Sequence, residues 1–291
     1  MALLTDFQAE VQRMINQGNK VNEILLFTSL CNVIKQHYYC DVTHKKIVGY
    51  QNQSGSNVRC EISDLFMIFV GRNNIRYTFL QAKKEKVTSR NTMTVSKVQW
   101  ELLAGRPIID PCNTHFSRTI LSGAILDSAG SYGDFYKDQQ KQWDMKYFIA
   151  NTASPKPRKT STLIIHAHNL LNDLNNGFYE TEMVDSLRWF EYEIRNEYIG
   201  TPILPLGSDV DFDDAESCRR GLERLQYGDD RNVLVILRYL NHYLNDRKRR
   251  DDDIVLSRRV GNFCHTIHNN YNANEQEDEQ IVNFAVINCD R

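Results

Sequence analysis

Residues 58–84, VRCEISDLFMIFVGRNNIRYTFLQAKK, constrain the fold more than any other stretch. Two runs rich in Val, Ile, Phe and Tyr alternate with a period of two on either side of Gly71-Arg72-Asn73-Asn74. They read as half-buried strands joined by a tight turn, placed there because Gly and Asn tolerate φ > 0. With Val70 facing Ile75, the register sets Asp64 across from Gln81 and Lys83 across from Ile62. One face then carries Val70, Ile68, Phe66, Asp64 and Ile62 against Ile75, Tyr77, Phe79, Gln81 and Lys83. Moving away from the turn, that face changes from apolar to polar. Opposed Cβ atoms lie roughly 5 Å apart, so an Asp, a Gln and a Lys share one patch at the sheet's end. A buried carboxylate and ammonium need partners. The patch is therefore either an Asp–Lys ion pair with Gln as its neighbour or a site.

The spacing favours a site. An Asp on one strand followed by Gln-x-Lys at the end of the next resembles the PD-(D/E)XK nuclease superfamily. Its Gln-x-Lys variant, found among restriction nucleases related to the Mrr type and anti-phage effector nucleases, is the nearest version. Asp64 and Gln81-Ala82-Lys83 carry the resemblance, which covers roughly residues 20–105. Ser63 stands where the motif has Pro, and Gln81 where most members have Asp or Glu. The implied fold is α/β: a restriction-endonuclease-like core, with a mixed central sheet flanked by helices, and a helix-rich C-terminal half. On that reading residues 1–170 form the nuclease core and 171–291 a helical region packed on it.

Residues 21–37, VNEILLFTSLCNVIKQH, read as an amphipathic helix with an apolar stripe of Leu26, Phe27, Leu30, Val33 and Ile34. Glu23 begins that stripe and so points towards the sheet. An N-terminal Glu is also favoured by the helix macrodipole, and both readings stand. In the resembled family, an acidic residue on this helix often completes the metal site.

The resemblance implies Mg²⁺-dependent hydrolysis of DNA phosphodiesters, in restriction or anti-phage defence, with Mn²⁺ as a substitute cation. Asp64, Gln81 and Glu23 would hold the metal. Mg²⁺ prefers oxygen ligands, and lowers the pKa of a bound water. Lys83 would hold that water or stabilise the transition state. One ion is expected, with a second left open. Glu61 should fall on the opposite sheet face, near Lys84, and not serve as a ligand. A homodimer, cutting both strands, and a defence-system partner protein are further implications. The alternatives are a nuclease of the same fold acting on RNA, and a non-catalytic protein on that fold that binds nucleic acid or a partner.

Composition restricts the setting more than the chemistry. At 291 residues, 41% hydrophobic and 25% charged, the chain can bury a substantial core. No apolar run reaches the roughly 18 residues of a membrane span, and the N-terminus lacks a secretory pattern. Seven scattered cysteines without a CxxC pair read as cytoplasmic thiols. A net charge of −2 opposes bulk affinity for nucleic acid but allows a local patch.

Two such patches occur. Lys84, Lys86, Arg90 and Lys97 follow the Gln-x-Lys segment closely, through a Ser/Thr/Asn-rich stretch at 87–94, and are the candidate phosphate-backbone contacts. A helix over 95–104 follows, ended by Gly105 and Pro107; its Gln99 and Glu101 could approach the site. The second patch is Lys137, Lys141, Lys146, Lys156, Arg158 and Lys159, interleaved with Trp143, Tyr147 and Phe148. It suits nucleic-acid contact and equally a strand packed on the core. The Gly-containing segment 128–133 reads as turn and hinge. His166 with His168, and Cys264 with His265 and His268, have suggestive spacings but lack further ligands. Other expected elements are helices at 3–17, 181–198, 212–226 and 231–247, and strands at 161–168 and 281–287.

Overall fold

The computed structural model describes residues 3–42, 47–85, 92–110, 116–159, 161–166, 173–175, 178–204, 210–224, 231–246, 253–271 and 283–290. Among them lie seven α-helices: α1 (Leu3–Asn16), α2 (Glu23–His37), α3 (Lys97–Gly105), α4 (Leu187–Arg195), α5 (Ala215–Arg224), α6 (Arg231–Asn245) and α7 (Ile254–Tyr271). The first nine strands are β1 (Tyr39–Asp41), β2 (Ile47–Gln51), β3 (Asn57–Glu61), β4 (Leu65–Val70), β5 (Ile75–Lys84), β6 (Thr92–Ser96), β7 (Ile109–Asp110), β8 (Gly130–Lys137) and β9 (Trp143–Ile149). The remainder are β10 (Ser154–Lys159), β11 (Thr162–His166), β12 (Asp173–Asn175), β13 (Phe178–Glu180), β14 (Met183–Val184), β15 (Thr201–Pro202) and β16 (Phe284–Asn288).

A large mixed sheet organises them, in the order β1-β16-β4-β5-β8-β9-β14, with β15 added against the first half of β5. The pairs β16–β4 and β5–β8 are parallel and the rest antiparallel. The sheet is covered on both faces, which is why β4 is an uninterrupted apolar run, LFMIFV, buried throughout. Leu65, Met67, Phe69, Leu80 and Ala82 face α1, α2 and α4. Phe66, Ile68, Val70, Tyr77 and Phe79 face α3, α6 and α7 on the other side. The fold is thus mixed α/β with a helix-rich C-terminal region, and its last strand, β16, lies inside the sheet between β1 and β4.

The β4–β5 hairpin keeps the expected register, from Val70↔Ile75 to Leu65↔Leu80. It is shorter than expected. Residues 57–61 leave it and pair with β2 in a separate sheet, β3-β2-β7, so Ile62 has no ladder position against Lys83. The turn residues 71–74 also avoid positive φ; Gly71 N donates to Asn74 O at 2.9 Å, and the space a side chain at 71 would fill holds the Glu197 carboxylate.

The segment 128–133 is not a hinge. It is a 3₁₀ turn leading into β8, which lies beside β5. Its glycines permit close packing: a β-carbon on Gly130 would run into the Leu103 carbonyl of α3, and one on Gly133 into Met145. Residues 92–96 form β6, which takes in the end of the Ser/Thr/Asn-rich stretch and the first two residues of the expected helix, so that α3 starts at Lys97. Of the expected helix over 181–198, 187–195 is helical and 183–184 is strand β14. Helix α7 had no counterpart in the sequence reading, although Leu256, Val260, Phe263, Cys264 and Ile267 line one buried stripe. No helix among the described residues is long and apolar enough to cross a membrane.

Candidate functional site

The four residues singled out in the sequence come together at one end of the central sheet. Asp64 stands immediately ahead of β4. Its N–H donates to Leu80 O at 3.1 Å. The hairpin register would put residue 63 opposite Ala82, but there the Asp64 side chain takes over: Ala82 N donates to Oδ2 at 2.8 Å. The Gln81 amide nitrogen donates to the same oxygen. A carboxylate thus replaces main chain as the acceptor at the end of the ladder. Asn283, just ahead of β16, closes the other side by donating its Nδ2 to Asp64 O at 3.2 Å.

Lys83 Nζ meets Glu23 Oε1 at 3.2 Å, with the lysine largely buried and the glutamate partly exposed. Glu23 opens α2, which Asn22 caps by accepting from Leu25 N at 2.8 Å. Gln81 is 2% exposed, and its carbonyl accepts from Gln99 Nε2 on α3 at 3.1 Å. Gln99, which the sequence could name only as a neighbour, therefore contacts the cluster. Glu101 instead pairs with Lys97 at 3.6 Å. The assigned amide orientation turns the nitrogen of Gln81, not its oxygen, towards Asp64.

Burial pushes the Asp64 carboxyl up to about 6, and Glu61 and Glu23 add to the rise, while Lys83 and the Ala82 N–H oppose it. Glu61 is therefore electrostatically close, although it stands on β3 opposite Ile47 and not on the hairpin face near Lys84. Lys84 lies on the other face of β5, with Nζ 5.4 Å from the Trp143 ring centroid. Lys97 is exposed at the start of α3. Lys86 and Arg90 lie outside the described residues.

One member of the cluster escaped the sequence reading. Asp134 on β8 is in register with Lys83 on one side and Lys146 on the other. It is 4% exposed, and its Oδ1 has no hydrogen-bond partner among the described residues. Burial, reinforced by Glu85, holds its carboxyl well above the usual carboxylate range. Lys146 Nζ lies 3.7 Å from Glu85 Oε1 and 4.4 Å from the Tyr136 ring centroid. Acids and lysines thus alternate across β5, β8 and β9. Only the strand pairing of 128–137 could have placed Asp134 there.

The remaining candidates separate from this site. Trp143, Tyr147 and Phe148 are buried in β9, so this part of the second basic patch is core strand. His166 is on β11 and His168 lies outside the described residues. Cys264 is buried in α7, and His268 Nε2 is 2.8 Å from Asn241 Nδ2. Among the described residues no group of three or more His, Cys, Asp or Glu is arranged to hold a metal ion, and the six described cysteines are unbridged. No protein-family model, curated protein or solved structure matches the chain.

Proposed function

We propose that the protein is a Mg²⁺-dependent endonuclease acting on DNA, on a restriction-endonuclease-like core, and that it serves in restriction or anti-phage defence in the cytoplasm. The observation that carries this reading is the Asp64 carboxylate. It is set into a broken strand end, desolvated enough to hold its proton up to about pH 6, and surrounded by Gln81, Lys83 and Glu23. A desolvated carboxylate of this kind gains from a divalent cation that replaces its proton.

The donor set fits a hard cation that retains most of its water. Asp64 would hold it, and Glu23 and Gln81 would join through side-chain rotation, since Glu23 is engaged with Lys83 and the Gln81 carbonyl with Gln99. The bound ion would supply a water of lowered pKa and neutralise charge on the phosphate. Lys83 is the cation that would face the reacting phosphate. A homodimer would allow both strands to be cut, and a defence-system protein could license the activity.

The same engagement of Gln81 and Glu23 favours one rival: a nuclease-fold protein that binds nucleic acid or a partner without cutting. Plasmid cleavage in Mg²⁺, in EDTA, and by Asp64→Ala and Lys83→Ala decides between them. Metal-dependent cutting lost in both variants supports the nuclease. Cutting of RNA alone reassigns the substrate, and no cutting of either moves the binding protein ahead.

A further inference from the structure

We infer that the outward face of the small sheet β10-β11-β6 is a docking surface for the phosphate backbone of DNA, laid so as to lead the strand to the Asp64–Lys83 site. The destination rests on the nuclease reading; the binding surface does not.

The three strands read SPKPRK, TLIIH and TMTVS, and together they contain three permanent cations and no Asp or Glu. Register decides where these groups point. Met93 and Val95 of β6 are buried in the core, so Thr92, Thr94 and Ser96 take the opposite face, since side chains alternate. Lys156 is in register with Ile164 and, through it, with Thr94, and Lys159 with Thr162 and Ser96. Both lysines therefore share the hydroxyl-bearing face. A bulge between Pro157 and Lys159 brings Arg158 to it as well, where its Nη1 donates to Thr94 Oγ1 at 2.9 Å. Residues 155–159 are all exposed.

Cations and hydroxyls interspersed on an acid-free face are what phosphate oxygens require. Pro155 and Pro157 lack N–H donors on an edge strand, which disfavours addition of a strand from a second copy. The face is also tied to the site. β6 runs directly into α3, Lys97 N donates to Ser161 O at 3.0 Å, and two residues on Gln99 touches Gln81. β6 is the next strand after β5 in the chain, and the two strands lie against one another.

The test is fluorescence anisotropy of the full chain with a labelled DNA duplex in EDTA, with a salt series. Lys156→Gln/Arg158→Gln/Lys159→Gln should weaken binding by about tenfold or more and flatten the log K against log salt slope by about 2 to 3. A charge-matched control at exposed positions elsewhere, Lys35→Gln/Arg188→Gln/Arg220→Gln, should stay near wild type. Equal binding by the triple variant overturns the surface, as does absence of binding by wild type, or competition by poly-glutamate as strong as by unlabelled duplex. The nuclease reading fails separately: a protein that binds through this face but never cuts retains the surface and loses the reading. One that cuts, with the triple variant binding and cutting like wild type, does the reverse.

Discussion

Gln99 Nε2 donates to Gln81 Oε1 at 3.1 Å, while Gln81 Nε2 donates to Asp64 Oδ2, so the Gln81 amide is held from both ends. The two bonds together keep the amide nitrogen towards the carboxylate, and the oxygen is occupied by the Gln99 bond. A metal that needed the Gln81 oxygen would have to break it.

Gln99→Leu should therefore release the amide and lower the Mg²⁺ concentration at which cleavage is half-maximal. Gln81→Glu should go further. Without metal it places two carboxylates together and destabilises the fold by about 1–3 kcal/mol. With millimolar Mg²⁺ much of that loss should return. Thermal melting of each variant with and without Mg²⁺ checks this; a Gln81→Glu deficit indifferent to Mg²⁺ would count against a metal at this position.

Asp64 predicts a pH dependence of defined sign. Its folded pKa, about 6, exceeds the ordinary carboxylate value of 3.8, so the fold binds this proton more tightly than the unfolded chain does. The penalty is absent at acid pH, develops as pH rises through 4 to 6, and is complete above that, amounting to at most about 3 kcal/mol. Asp64→Asn keeps an oxygen for Gln81 and Ala82 and removes the penalty. The stability of Asp64→Asn minus that of wild type, from urea melts, should grow from pH 4 to 6 and then level off. A difference that is flat with pH would disprove the assignment.

Lys146→Ala should be among the more damaging single changes at the sheet's end. It strips Glu85 of its cation at 3.7 Å and leaves Asp134 with one fewer, in a setting where losing one partner of a buried pair costs about 3–5 kcal/mol. Lys146→Ala/Glu85→Gln should recover part of the loss, and a strictly additive double variant would show that the two side chains do not interact.

Gly130→Ala tests the packing of β8. The added carbon meets the Leu103 carbonyl, so β8 and α3 must separate, at a cost on the order of 2 kcal/mol. Denaturant midpoints should fall accordingly, and Gly105→Ala, whose added carbon meets nothing nearby, should change little through packing.

How far the sequence foretold the molecule depended on whether the information was local. Turn composition and alternation were enough to set Val70 against Ile75, and the register carried through to Leu65 and Leu80. The stripe from Leu26 to Ile34 likewise announced α2, and Glu23 with it. Local pattern could not say that residues 57–61 pair with β2, because an alternating strand suits either partner equally. Nor could it tell a glycine needed for close packing from one needed for a turn, and so β8 and Asp134 were hidden. The buried stripe of α7 was there to be read. Its cysteine and histidines drew attention to metal spacing in place of helical periodicity.

The position of β16 has a consequence for timing. Phe66 N is bonded to Asn283 O at 2.8 Å, and Phe284 lies in register with Phe66. The strand that follows Asp64 is thus flanked on one side by residues made more than two hundred positions later. While the chain is still being translated, that edge of β4 has no neighbour, and pairing across so long a separation is slow. The contacts among Glu23, Asp64, Gln81 and Lys83 are all encoded early, but the side of the site closed by Asn283 can form only once residues 283–288 have been made.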